Sequence, residues 1–492
     1  MSGVKLKSVK YNLVMNVLRL LMNMIFPLIS YPYAAKILAP EGIGKVSFAQ
    51  SFVSYFMLIA MLGIPTYGIR ACAKVRDSKE SLSKTVKEIL IINTISLGLV
   101  LLVFLISITQ IGRLASDPKL YLVVGISIVL NSCGMEWVFQ ALEQYRYITI
   151  RSFIFKVLGM LSLFLFVKSE SDYIQYALVT VIASYGSNLL NLFYSRKYID
   201  FTVKINIRDS LKHLKPILMF FSITAAASVY MNLDTLMLGV MTNDTQVGLY
   251  TTATKMKTIV LSMVTALGTV MLPRISYFYA NGMMDEFNKA INKGLNFVKI
   301  VAVPLALFFV INTNSTILLI SSEAYLDAKY AMQLIMPVVV FSGFSSLIGM
   351  HVFVAYGKEK IVMLSACIGA IVNVSLNALV IPQFYAAGAA FATSVSELVV
   401  LLIELYFGKK LLTRGVIKIS FLKVAFASVL AGVVSIFTID ICAQLPFWNF
   451  LYNAVSFFGV YFLALILMRE TLLTDYTQMI LSMIKRKYPK SL

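Results

Sequence analysis

The sequence predicts an all-α integral membrane protein of about fourteen transmembrane helices. Three observations carry that prediction. Hydrophobic residues make up 59% of the 492 residues and charged residues only 13%, against about 45–50% and about 25% in soluble domains. The mean hydropathy is +0.82. The apolar runs are each about 20–28 residues long, enough for a helix to cross a bilayer, and they lack the ten-residue alternation of a barrel strand. In lipid the backbone polar groups must be paired within the span, so such runs become helices.

Taken in order, the apolar segments lie at about 11–37, 43–64, 86–110, 119–140, 149–168, 174–195, 215–240, 247–271, 293–320, 332–354, 361–380, 384–408, 421–440 and 448–468. The longest polar connections, 65–85, 196–214, 272–292 and 409–420, are too short for a folded domain. Lys5, Lys7 and Lys10 precede the first segment as in a signal peptide. The apolar run continues past Leu28 without a small-residue cleavage pattern, so it reads as an uncleaved first span.

Cation placement tests this map. With the N-terminus in the cytoplasm, 35 of the 43 Lys and Arg residues fall on the inside. The other eight are Lys36, Lys45, Arg113, Lys119, Lys168, Lys255, Lys257 and Lys329. That asymmetry obeys the positive-inside rule only for an even number of spans, which puts both termini in the cytoplasm. The net charge of +20 then reports topology and contact with an anionic inner leaflet, without any need for nucleic acid.

Several chemistries are excluded. Cys72, Cys133, Cys367 and Cys442 are far apart and lie in or beside apolar segments, so they are expected as buried, inert thiols. His213 and His351 are the only histidines, which argues against a zinc site and a Ser-His-Asp arrangement. No G-x-x-x-x-G-K-[ST] loop is present. The expectation is a protein without cofactors that is not an enzyme.

A weak internal repeat is visible. Gly44 matches Gly248, and Ala49 matches Ala253, within the similar stretches 39–49 and 243–253. Tyr176, Ala177 and Ala183 match Tyr385, Ala386 and Ala392. Two parallel six-helix repeats give this pattern. The implied organisation is 1–206 for spans 1–6, 207–415 for spans 7–12, and 416–492 for spans 13–14 with a basic cytoplasmic tail.

Polar stripes within the spans are the candidate sites. Asn12, Asn16, Arg19 and Asn23 share one face of span 1. Thr251, Lys255, Thr258, Ser262 and Thr265 share one face of span 8, and Thr393, Glu397 and Glu404 lie on span 12. Such stripes face another helix or a water-filled cavity, and an ionised residue there is expensive. Lys255 lies about 12 Å into its span, whereas Lys257 is about 200° further round and faces elsewhere. Arg70, Arg151 and Gln50 complete the polar candidates. Glu397, about 20 Å deep, and Asp234, nearer the outer end of span 7, are the ion-coupling candidates. Each charged group has the alternative of serving as a structural partner for another.

Several stretches resemble the Wzx-type polysaccharide flippases. They are FPLISYPY at 26–33, LAPEGIG at 38–44, LGIPTYGIR at 62–70, AKVRD at 73–77, EWVFQALE at 136–143 and YITIR at 147–151. Asp234, residues 247–250, GKEK at 357–360, Asn373, Asn377, Ile381, Pro382 and GAAFAT at 388–393 through Glu397 extend the likeness over about residues 10–410. LISSE at 319–323 departs from the phenylalanine-glycine pair usual there. The resemblance implies the multidrug/oligosaccharidyl-lipid/polysaccharide transporter fold, two six-helix lobes in a V plus two C-terminal helices. It also implies movement of an undecaprenyl-diphosphate-linked oligosaccharide to the outer leaflet of the bacterial inner membrane. Polysaccharide polymerase machinery is a possible partner. On that reading Lys255 and Arg19 hold the diphosphate. The competing readings are a multidrug or cation antiporter on the same fold, or a membrane glycosyltransferase or polymerase.

Overall fold

The computed structural model describes residues 9–409, 411, 420–438 and 446–470, and these contain helices and no strand. The helices are α1 (Val9–Met61), α2 (Ile64–Ala73), α3 (Lys79–Gln110), α4 (Gly112–Ala115), α5 (Pro118–Cys133), α6 (Glu136–Ala141), α7 (Tyr145–Phe166), α8 (Tyr173–Val181) and α9 (Asn188–Ser195). They continue as α10 (Leu211–Met241), α11 (Asp244–Ala280), α12 (Met284–Ile311), α13 (Thr313–Ile320), α14 (Lys329–Ile335), α15 (Val338–Ser346), α16 (Glu359–Gly408), α17 (Ser420–Thr438) and α18 (Pro446–Leu467). Cys442 and the basic tail beyond residue 470 lie outside the described residues.

Among the described residues nine helices are long and apolar enough to cross a membrane. A tenth is formed if Glu323–Ile335 and Pro337–Phe353, bent by 41°, make one span. Two helices far exceed one crossing. The 53 residues of α1 extend about 80 Å at 1.5 Å per residue, against a hydrocarbon core of about 30 Å. Its backbone leaves the helical region at Ala39 (φ 54°, ψ 174°), just before Pro40, where proline disfavours helical geometry for its predecessor. The 50 residues of α16 break likewise at Tyr385 (φ 50°, ψ −128°). The first break falls in the short turn expected between spans 1 and 2, whereas the second lies just inside the segment 384–408 expected as span 12, so that span starts later than the sequence placed it. Pro27 and Pro32, by contrast, lie inside continuous helix.

The connection 65–85 corrects the sequence reading, because it is not simply a polar loop. Gly63, at φ 76°, turns the chain into α2, and Ser78 caps α3 by accepting from the Ser81 N–H. α2 packs on α6, and a Cβ on Gly68 would lie 2.4 Å from the Trp137 ring. Ile64, Cys72, Leu82, Val86, Trp137 and Ile217 form the buried cluster there. The expectation of buried thiols holds for Cys72. Cys133 is only partly buried and Cys367 is exposed, because their helix faces are not covered by protein.

The chain divides into two compact units, Met1–Gly248 and Leu249–Leu492. The first takes in α10, which packs on α1. Within this unit the repeat-related glycines meet. A Cβ on Gly44 would lie 1.7 Å from the Asp244 carbonyl oxygen, and one on Gly248 would lie 1.9 Å from that of Pro40. In the second unit α17 and α18 are fastened to α12 and α13 by polar contacts. Asn312 donates to Ser435 at 2.9 Å, Asn449 to Ser315 at 3.2 Å, and Tyr461 to the Ile300 carbonyl at 2.7 Å. Hydrogen bonds of this kind hold helices together where lipid removes the hydrophobic drive.

Candidate substrate site

One cluster of charged side chains in the first unit is built on α1, α6 and α7. Arg19 donates to Glu136 Oε1 at 2.8 Å and to Asn16 Oδ1 at 3.1 Å. Arg151 donates to Glu136 Oε2 at 2.8 Å and to the Ser187 carbonyl at 3.3 Å. One carboxylate therefore bridges two guanidiniums. Gln140, one helical turn on, also donates to Glu136 Oε1 at 3.1 Å. Met135, in the left-handed conformation at φ 44°, starts α6 and aims Glu136 at this cluster. The Arg151 side chain is 2% exposed and that of Arg19 22%. Their Nε–H groups have no hydrogen-bond partner among the described residues.

A third cation extends the cluster. Lys156 Nζ donates to Asn23 Oδ1 at 2.6 Å and lies 5.7 Å from the Phe26 ring centre. It forms no ion pair among the described residues. Two of these three cations share one acid, and the third has none within ion-pair distance among the described residues. Next to them Glu143 accepts from Arg76 at 2.8 Å and from Asn12 at 3.2 Å, a self-neutralising pair.

Several of the sequence-predicted residues come together here. Arg19, Arg151, Asn16 and Asn23 lie in this cluster. The acid that partners Arg19 is Glu136, and among the described residues neither Asp234 nor Glu397 forms an ion pair with it. Arg70 is elsewhere, exposed at the end of α2 and 5.8 Å from the Phe220 ring centre. Gln50 is exposed on the second half of α1 and donates to Thr180 at 3.0 Å. Asp234 is buried in α10. In the second unit Lys255 and Thr258 lie exposed on one side of α11, with Ser262 half-buried further along. Thr258 and Ser262 spend their hydroxyls on the carbonyls of Thr254 and Ile259. Glu397 accepts from Ser342 at 2.7 Å.

Sequence reasoning missed three groups. Glu136 stood in a recognised motif without a role. Lys156 was counted with the cytoplasmic cations, yet it is the twelfth residue of the 22-residue α7. The signal was its distance from either end of that apolar run. A buried network is the third: Glu88 Oε2 lies 2.8 Å from both His213 Nε2 and Lys212 Nζ, and Tyr67 Oη lies 2.5 Å from His213 Nδ1. It ties α2, α3 and α10 together. Among the described residues no group of metal-ligating side chains is assembled.

These features define a multi-pass helical membrane protein with cations placed inside its spans. Solved structures share the fold. Lipid II flippase MurJ in an inward closed conformation aligns at a TM-score of 0.73 with 15% identity, covering 93% of this chain and 99% of that one. An inward-facing multidrug resistance MATE family transporter aligns at 0.65 with 14% identity, covering 81% and 98%. A Shigella dysenteriae protein named as an O-antigen transporter is 25% identical over 402 residues, 78% of this chain and 96% of its own length. A protein of the same name from Escherichia coli K12 is 23% identical over 344 residues, covering 69% and 81%. The MatE family model matches residues 220–379. The model described as polysaccharide biosynthesis protein matches residues 8–278, more than half of the chain, and the protein belongs to that family. The Wzx-type resemblance read from the sequence therefore stands, and the relatives are named as transporters and flippases rather than catalysts.

Proposed function

We propose that the protein moves an undecaprenyl-diphosphate-linked oligosaccharide from the inner to the outer leaflet of the bacterial cytoplasmic membrane. It does so by alternating access, coupled to an ion gradient, with fourteen crossings and both termini inside. The repeat halves are 1–206 and 207–415, and 416–492 is the appended part. The observation that carries this reading is the excess of cations on α1 and α7. Arg19 and Arg151 share the single carboxylate of Glu136, and Lys156 on the same pair of helices is held only by the Asn23 amide oxygen. An uncompensated charge at the bilayer centre costs about 2.5–3.5 kcal/mol even on the mild insertion scale, so it is kept for function. Guanidiniums with spare N–H donors suit a diphosphate, which they grip by two-pronged hydrogen bonds. The same excess repels the cationic compounds expected of a multidrug antiporter. Lys255, exposed and without an ion pair among the described residues, is assigned to the same anionic substrate.

Deletion in a strain without a paralogue is expected to trap the lipid-linked repeat on the inner face and to abolish surface polysaccharide. Drug susceptibility is expected to stay unchanged. Normal surface polysaccharide in that strain, or a gain in drug susceptibility alone, rejects the assignment.

A further inference from the structure

An apolar groove opens between α1 and α7 at the level of Lys156. Its volume is about 120 Å³, and Met22, Ile25, Ile29, Phe153 and Met160 line it, with Lys156 in the wall. Apolar surface alone is unremarkable on a membrane protein. The position of the cation is what needs an explanation. The 22 residues of α7 extend about 33 Å, close to the ~30 Å hydrocarbon core, so the twelfth residue lies near its midpoint. Lys156 there has an amide oxygen and an aromatic ring for company, and no carboxylate among the described residues.

The depth decides what anion can meet it. A resident phospholipid keeps its phosphate at the interface, about 15 Å from the midplane. A side chain fixed at 2.6 Å on Asn23 is not snorkelling to that level. Only a lipid in transit brings a phosphate to mid-depth. The groove has the matching size, since an engineered apolar cavity of about 150 Å³ accepts the six carbons of benzene. At about 120 Å³ this one fits a five-carbon isoprene unit.

Resting on the lipid-substrate reading above, we infer that Lys156 and the α1–α7 groove form a mid-membrane station for the carrier lipid. The groove seats the isoprene unit next to the phosphate, and Lys156 holds the phosphate itself. The station is distinct from the Arg19–Glu136–Arg151 bridge, whose carboxylate partly neutralises its cations.

Native mass spectrometry of the full chain in detergent tests this with three probes: undecaprenyl phosphate, undecaprenol and phosphatidylglycerol. Lys156→Gln is expected to weaken undecaprenyl phosphate binding at least tenfold and to leave undecaprenol and phosphatidylglycerol unchanged. Lys156→Arg is expected to retain binding, which separates loss of charge from misfolding. Ile25→Trp, which fills the groove, is expected to weaken undecaprenyl phosphate and undecaprenol alike. Unchanged undecaprenyl phosphate binding in Lys156→Gln overturns the station, as does an equal loss of phosphatidylglycerol, which marks a general anionic-lipid contact. If those results come from a protein whose deletion does abolish surface polysaccharide, the station alone is wrong and the flippase reading survives.

Discussion

Removing one carboxyl charge, Glu136→Gln, is expected to destabilise the protein more than removing one of the arginines it binds. Glu136 holds Arg151, whose side chain is only 2% exposed, and Arg19, which is 22% exposed. Breaking a buried pair by deleting one partner costs about 3–5 kcal/mol, because the other charge is left uncompensated. The low end applies here, about 3 kcal/mol, since Glu136 itself is 30% exposed and Arg151 keeps the Ser187 carbonyl. Arg151→Met leaves Glu136 paired with Arg19 and partly open, so its cost is about 1.5 kcal/mol, the low end for one hydrogen bond to a charged group. The double variant Glu136→Gln/Arg151→Met is expected to recover most of the loss, because the one cation left without its acid, Arg19, is 22% exposed and keeps the Asn16 amide oxygen. The assay is the thermal unfolding midpoint of purified protein in detergent, with all three variants at matched concentration. If Arg151→Met is as damaging as Glu136→Gln, or the double variant is worse than both, the buried guanidinium is not the liability and the reasoning fails.

Three other outcomes are expected. Lys255→Ala abolishes transport of the lipid-linked sugar while the protein still inserts, and Lys257→Ala, at a half-buried and engaged residue, is milder; the reverse order in a surface-polysaccharide assay refutes the face assignment. Gly248→Ala fails to accumulate, because its Cβ would lie 1.9 Å from a backbone carbonyl that cannot give way, whereas Gly98→Ala, with nothing within 4 Å, is neutral or gains up to about 1 kcal/mol of helix propensity; equal expression of the two excludes the close-approach argument. Glu397→Gln removes the response of transport to an ion gradient, and an unchanged response to an uncoupler rules out its coupling role.

How much was legible follows from the range of each interaction. The helices were legible because lipid forces a local rule: twenty apolar residues satisfy their own backbone. The turn at Ala39 was legible for the same reason, as a short interruption at Pro40, and the one at Tyr385 only to within a few residues, because Pro382 marks the interruption before the backbone breaks. α2 was not, because Ile64–Ala73 is short and mixed in character. What makes it a helix is the tertiary fit of Gly68 against Trp137 and of Ile64 and Cys72 in the buried cluster. The match of Gly44 and Gly248 read in sequence as the trace of a weak internal repeat. The structure adds a packing reason for glycine at both positions, because each lacks a side chain where two backbones touch.

The site was legible as a set of residue types and illegible as a set of pairs. Helical spacing alone placed Asn16, Arg19 and Asn23 on one face, and that face carries the hydrogen bonds to Glu136 and Lys156. Pairing, however, joins residues 117 and 133 positions apart, and nothing in the period of either helix specifies it. Charge counting also misled at one point. The positive-inside rule treats every cation near a span end as topological, so it absorbed Lys156 into a loop total. A depth criterion would have separated it, because a lysine twelve residues into a 22-residue helix cannot be a loop cation. Cations that obey the topology rule orient the protein, and those that violate it by depth are the ones to test for substrate contact. By that criterion Lys156 ranks with Lys255 and Arg19, and Arg70, exposed at the end of α2, falls below them.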